Sequence, residues 1–175
     1  MSNHLDAIIC DDNIIEWRRH CKEDNIFNKF QPNEWDKIIS GFSSNEEWNH
    51  FLIKYKGIIN CFSLYHTSNN RLIGFAFIIP EDYRRNIYSI HGGGCFRENS
   101  HLYFRGFICL LSYLLNNDIK IRTASYKDNN KAVRFLRAIG FVKYQETENA
   151  FKFWINRKRL QSSKIYKRII QTSRQ

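Results

Sequence analysis

Apolar positions along the chain change their period near residue 57. Before it, the apolar run over residues 5–10 predicts a strand. Asp11, Asp12 and Asn13 then offer side-chain oxygens that cap helices, and IIEWRRHCKE predicts a helix behind them. Pro32 opens a second helical stretch, with Trp35, Ile38, Ile39 and Phe42 at helical spacing. SSNEEWNHFLIKY predicts a third, with Ser44 as N-cap and Glu47 three residues on in a capping box. Beyond residue 57 the runs shorten and become rich in β-branched and aromatic residues. GIINCFSLYHT, RLIGFAFIIP and RRNIYSIHG predict an antiparallel meander, turned by SNN and EDYRR. SHLYFRGFICLLSYLLNN predicts a largely buried helix, apolar over much of its surface and stopped by Asn116, Asn117 and Asp118. DIKIRTASY predicts a strand, DNNKAVRFLRAIGF a helix closed by Gly140, and VKYQETENAFKFWINR a hairpin turning near Glu146–Asn149. From Leu160 onward, Ile165, Tyr166, Ile169 and Ile170 share one side of an amphipathic helix.

This order implies a mixed α/β (α+β) fold, because strand–helix–strand–helix after a meander makes some of the sheet parallel. No repeat or linker interrupts the 175 residues, so one domain is expected over 1–157, with a basic amphipathic tail over 158–175. No apolar run reaches the roughly 18 residues a membrane span needs. The N-terminus lacks the basic-then-apolar order of a signal peptide. Five scattered cysteines, never spaced C-x-x-C, suggest reduced thiols in a cytoplasmic protein and no metal framework.

Net charge is +10, and it is unevenly spread. Ten of the 17 acids precede residue 48, and none follows Glu148. The tail carries Lys152, Arg157, Lys158, Arg159, Lys164, Lys167, Arg168 and Arg174. Such a segment attracts nucleic acid, an anionic surface or a phosphorylated cofactor, or is a solvated basic face.

The segment NNKAVRFLRAIGF, starting at Asn129, follows the strand-like TASY. Asn129, Ala132, Gly140 and Phe141 match the spacing of a motif of the Gcn5-related N-acetyltransferases, the GNAT superfamily. The chain resembles a divergent member of it over roughly residues 58–154. The resemblance implies a GNAT-like, mostly antiparallel central sheet with helices on both faces, whose fourth and fifth family strands are parallel and splayed. It implies acyl transfer from acetyl-CoA to an amine, with Asn129 touching the coenzyme arm, alongside Ala132 and Arg134. By residue type alone, Asn129 is equally well a helix N-cap. Lys127, Lys131, Arg134 and Arg105 are cations that can meet coenzyme phosphates.

Two departures stand out. Relatives bind the pyrophosphate with an Arg/Gln-x-x-Gly-x-Gly/Ala loop at the start of the central helix, where backbone N–H groups and the helix dipole favour anions. Here FRGF stands in that place, so Arg105 and Gly106 are the remaining candidates. Many relatives also carry a Tyr seven residues after the motif Asn, as the acid that protonates the leaving thiolate. Here that position is Leu136.

The triple glycine in SIHGGGCFREN completes the candidate set. No G-x-S-x-G elbow and no Gly-Lys-Ser/Thr exists in the chain, so neither a serine hydrolase nor a Walker loop is indicated. In the family order Gly92, Gly93 and Gly94 form the lip of the gap that admits the pantetheine arm. As residues, they equally suit a bulge or bend. His91 beside them is the candidate general base, with Glu98 and Glu81 weaker ones. Tyr126, ending the next strand, is the candidate acid. The leading function is an acyl-CoA-dependent N-acyltransferase acting on a small-molecule or peptide amine. A GNAT-shaped protein that binds CoA or another ligand without turnover is the alternative, and a nucleic-acid-binding module using the tail ranks third. The pattern leaves open whether Phe151, Phe153 and Trp154 serve the core or a homodimer interface.

Overall fold

A computed structural model describes residues 7–10, 14–19, 46, 50, 53, 60–94, 100–115 and 119–172. The strands are β1 (Ala7–Cys10), β2 (Ile15–Arg19), β3 (Asn60–His66), β4 (Arg71–Asp82), β5 (Ile87–Gly94), β6 (Lys120–Tyr126), β7 (Val142–Glu146) and β8 (Ala150–Ile155). The helices are α1 (Ser100–Leu114), α2 (Asn130–Ala138), α3 (Arg157–Ser162) and α4 (Lys164–Thr172). The eight strands run in the order β1-β2-β3-β4-β5-β6-β8-β7. Adjacent pairs with a defined register are antiparallel, except β5 with β6, which are parallel. The chain divides into two compact units, Met1–Ile79 with His91–Gly106, and Pro80–Ile90 with Phe107–Gln175.

In the first unit, IEWRR is a strand where the sequence predicts a helix. Ile15 and Trp17 are buried while Glu16 and Arg18 are half-buried, an alternation with period 2. β1 pairs along one edge and β3 along the other. Pairing on both edges satisfies this backbone, and the β-branched Ile15 and bulky Trp17 suit a pleated surface. Glu46, His50 and Ile53 are helical, in line with the third predicted helix. The helix predicted from Pro32 lies outside the described residues. β3 and β4 form the expected hairpin, with Asn70 at φ 54 in its turn. Trp17, Leu64, Ile73 and Phe75, from β2, β3 and β4, are fully buried.

α1 begins at Ser100, so Arg105 and Gly106 lie in its second turn and not at its start. That corrects the placement of FRGF as the loop ahead of the central helix. A Cβ on Gly106 would stand 2.7 Å from Leu64 Cδ2 and 3.0 Å from Leu64 Cδ1, with Ile15 Cδ1 at 3.4 Å. The missing side chain lets this helix lie close on β2 and β3. The indole N–H of Trp17 donates to the Gly106 carbonyl at 2.7 Å and fixes that approach.

In the second unit, β6 pairs with β8 over six residues and β8 with β7. Phe153, Ile121 and Ile155 are fully buried, as is Ile139 at the end of α2. Gly140 follows at φ 104 and turns the chain into β7. The tail forms two helices where the sequence predicts one. Ser163, at φ −68 and ψ 142, is extended and separates them, and its side chain accepts from the Tyr166 backbone N–H. Cys61 is a buried free thiol, but Cys109 is disulfide-bonded, so the expectation of reduced cysteines throughout fails there. Spacing along the sequence carries no information on which sulfurs meet in space. No helix among the described residues is long and apolar enough to cross a membrane.

Candidate functional site

The parallel ladder of β5 and β6 joins Ile87–Ser89 to Lys120–Arg122. Both strands continue, yet Ile90 and Thr123 are not paired. The parallel ladder therefore ends at the Ser89–Arg122 pair. β6 stays bonded to β8 as far as the Tyr126–Ala150 pair. Along Thr123–Tyr126, then, one edge of β6 is satisfied by β8, and β5 does not bond the first residue of the other.

The carboxyl end of β6 feeds directly into α2. Such strand ends are where ligands gather in open α/β sheets. Asn129 is the N-cap of α2: its Oδ1 accepts from the Ala132 backbone N–H at 3.1 Å. The cap read from the sequence is present, and it uses only the side-chain oxygen. The Nδ2 hydrogens make no bond among the described residues and remain as donors. Ala132 is half-buried in the first turn. Lys131 and Arg134 project from α2 into solvent, with no ion-pair partner among the described residues. Tyr126 ends β6 at 47% exposure, and its phenol makes no hydrogen bond among those residues. Leu136, at the position of the family's usual tyrosine, is buried beside Val133 on the inward face of α2 and belongs to the core.

Two charged candidates are already engaged. Lys127 reaches Glu146 at 2.7 Å, and Lys143 reaches the same carboxylate at 2.9 Å. The hydrogen bond from Lys127, with that from Lys143, lowers the Glu146 carboxyl to about 2 from its usual 4.5. Both ammonium groups also lie over the Phe151 ring, at 5.6 and 4.9 Å. Lys127 thus braces the β7–β8 hairpin. Glu81 is bonded to Arg122 at 3.0 Å, and Arg122 lies over Tyr144 at 5.2 Å. Neither pairing has a signal in the sequence, since the partners are far apart along the chain.

In the first unit, His91 is exposed and its ring stacks on Phe77, with centroids 5.1 Å apart and planes 14° apart. The stack fixes the imidazole plane. Gly92 has a close neighbour on its own account: a Cβ there would stand 2.7 Å from Tyr103 Oη and 2.8 Å from the Phe75 carbonyl. The Tyr103 hydroxyl itself donates to that carbonyl at 3.4 Å. One side of Gly92 is thus filled by α1 and β4, which accounts for a glycine here without a ligand. Gly93 and Gly94 complete strand β5. Arg105 is half-buried on α1. Glu98 lies outside the described residues. Among those residues no group of three or more His, Cys, Asp or Glu side chains could hold a metal ion.

No protein-family model and no curated protein matches the sequence, so the likeness to known proteins is one of structure. The chain is similar to a spermidine N-acetyltransferase from Vibrio cholerae, solved in complex with CoA and spermine. The TM-score is 0.69 and the identity 16%, over 84% of this chain and 98% of that one. A point mutant of the Vibrio cholerae enzyme gives 0.69 and 16%, over 85% and 97%. A dodecameric structure from the same organism gives 0.62 and 15%, over 83% and 95%. The fold is shared with these acetyltransferases and is GNAT-like: a mostly antiparallel mixed sheet with one parallel pair, β5 with β6.

Proposed function

We propose that this chain, built on the GNAT fold, is an acyl-CoA-dependent N-acyltransferase that moves an acetyl group from acetyl-CoA to a primary amine. The observation that carries this reading is the end of the β5–β6 ladder at Ser89 and Arg122 while β6 runs on to Tyr126. An extended pantetheine arm carries amide donors and acceptors like those of a strand, and the edge of β6 from Thr123 on offers it backbone groups to pair with. Asn129 Nδ2 is the donor at the end of that edge. Ala132 allows close approach at the first turn of α2, while Arg134 and Lys131 meet the phosphates as exposed cations. Gly92–Gly94 and Arg105 are held as further coenzyme contacts, with Gly106 acting through packing.

In the reaction, the amine nitrogen attacks the thioester carbonyl and a tetrahedral oxyanion forms. The C–S bond then breaks, and the CoA thiolate leaves with the electron pair. Tyr126 supplies a proton to that thiolate. The proton that the amine must lose passes to a base, for which His91, by its residue type, is the candidate and Glu98 the weaker one. Most of the rate comes from positioning, which is worth about 7–11 kcal/mol in well-oriented systems. The acceptor is assigned only by class. A net charge of +10 opposes long-range attraction of a polycation, so the polyamine of the structural neighbours does not transfer to this chain by electrostatics. The proposal places the protein in the cytoplasm on its scattered cysteines, and the disulfide at Cys109 counts against that placement, since such bonds are rare in a reducing compartment.

A second reading, a GNAT-shaped binder without turnover, is favoured by one observation: the usual acid position is Leu136, buried in the core. Asn129 variants test the coenzyme site, because cap and ligand roles use different atoms. Asn129→Asp keeps the capping oxygen and loses the Nδ2 donors. It should melt close to wild type yet raise the acetyl-CoA KM about 3–10-fold, the worth of one hydrogen bond of about 0.5–1.5 kcal/mol. Asn129→Ala should show the same KM change and also lose about 1 kcal/mol of stability with the cap. Wild-type KM values in both variants would remove Asn129 from the site.

A further inference from the structure

The start of β6 and the start of α3 line a hollow of about 460 Å³. Its walls are Ile119, Lys120, Asn156, Arg157, Lys158 and Gln161. Three of these are cations, two are amides, and none is an acid. No ion pair joins the three cations to a carboxylate among the described residues. Four other basic residues of this unit are engaged: Lys127 and Lys143 with Glu146, Arg122 with Glu81, and Arg159 over the Trp154 ring at 4.8 Å. Asn156 Oδ1 accepts from the Arg159 backbone N–H at 3.0 Å, which leaves the Asn156 Nδ2 hydrogens as donors. Like charges gathered round one concavity raise its local potential, and a bound anion relieves that repulsion.

We propose that this hollow is a binding site for a small multivalent phosphate anion, such as the di- or triphosphate group of a free nucleotide or inorganic polyphosphate. Its volume falls within the roughly 300–1,000 Å³ of small-molecule sites. A polymer track is disfavoured because, among the described residues, the walls hold no aromatic ring for a base to stack on. The site is separate from the one proposed for acetyl-CoA. Lys120 opens β6, while Tyr126 closes it and leads to Asn129. Seven residues at about 3.3 Å each put the two ends of the strand about 20 Å apart. Arg157 presents a planar fork to phosphate oxygens, and Lys120 and Lys158 act as mobile point charges.

Calorimetric titration of the full chain with inorganic tripolyphosphate tests this, beside a variant carrying Lys120→Gln, Arg157→Gln and Lys158→Gln. All three side chains are exposed, so the variant should fold. Its melting temperature without phosphate checks that, and the single change Lys158→Glu serves in its place if it does not fold. Wild type should bind saturably and more weakly as salt rises. The triple variant should lose at least about tenfold in affinity (about 1.4 kcal/mol), while its acetyl-CoA affinity stays within about twofold of wild type. Four results would overturn the proposal: no saturable binding by wild type, undiminished binding by the variant, acetyl-CoA affinity falling in step, or a short RNA bound through these residues that tripolyphosphate does not displace.

Discussion

Trp17→Ala should destabilise the protein by about 3–5 kcal/mol, the range for removing a large aromatic ring from a core. Trp17 is fully buried on β2, its ring meets Tyr103 edge-on at 6.3 Å, and its indole N–H holds the Gly106 carbonyl. Three losses therefore coincide: buried area, an aromatic contact, and the bond that fixes α1 against β2 and β3. Chemical denaturation should show the midpoint falling with the slope unchanged. At roughly 2–4 °C per kcal/mol for a chain of this size, the melting temperature should drop by about 6–20 °C. Trp17→Phe separates the contributions, since it keeps most of the ring and loses the hydrogen bond. It should cost about 1–2 kcal/mol. An alanine variant within about 1 kcal/mol of wild type would mean that Trp17 does not organise this core.

Gly140→Ala should cost about 2–5 kcal/mol, a large loss for adding one methyl group. Two terms add. At φ 104 an L-residue adopts backbone geometry that costs roughly 1–2 kcal/mol. The new Cβ would also lie 2.7 Å from the Arg159 carbonyl oxygen and 3.1 Å from its carbon. Those are backbone atoms in the first turn of α3 and cannot rotate aside as a side chain could, so overpacking adds about 1–3 kcal/mol. The variant should also loosen α3, because the clash pushes on Arg159 beside the buried Leu160. Faster amide hydrogen exchange across Arg157–Ser162 is the local readout, and wild-type protection there would contradict the packing argument.

Much of this fold is legible in the sequence where one periodicity acts alone. β3 to β5, β6, α2 and the β7–β8 hairpin all sit where alternation, the Asn129 cap and Gly140 put them. The reading fails where two patterns compete. IIEWRR after three capping residues satisfies a helix by its N-terminal chemistry and a strand by the alternation of Ile15, Glu16, Trp17 and Arg18. Pairing on both edges of β2 decides the contest, and pairing is a tertiary fact. The start of α1 at Ser100 is read correctly, but the role of Gly106, which lets Leu64 approach, has no trace in spacing. At the candidate site, the placement of Tyr126 at a strand end and Asn129 at a helix cap is legible because that is a local pattern. Glu81–Arg122 and Lys127–Glu146 are not, because an ion pair between distant segments leaves no trace in spacing. The separation of β5 from β6 is implied by the family resemblance, and no residue between Ser89 and Thr123 would announce it by itself.

Amine-dependent transfer from acetyl-CoA is the measurement that bears most directly on the function. The full-length protein would be incubated with acetyl-CoA and a panel of primary amines, including small molecules and peptide N-termini. Mass spectrometry would follow acetylated amine and free CoA together, which avoids interference from the protein's own thiols. The transferase reading predicts equimolar acetylated amine and CoA with at least one acceptor, slowed when Asn129 or Tyr126 is replaced. Saturable acetyl-CoA binding with no product from any amine would contradict it in favour of a binding protein, and no binding at all would contradict the coenzyme site itself.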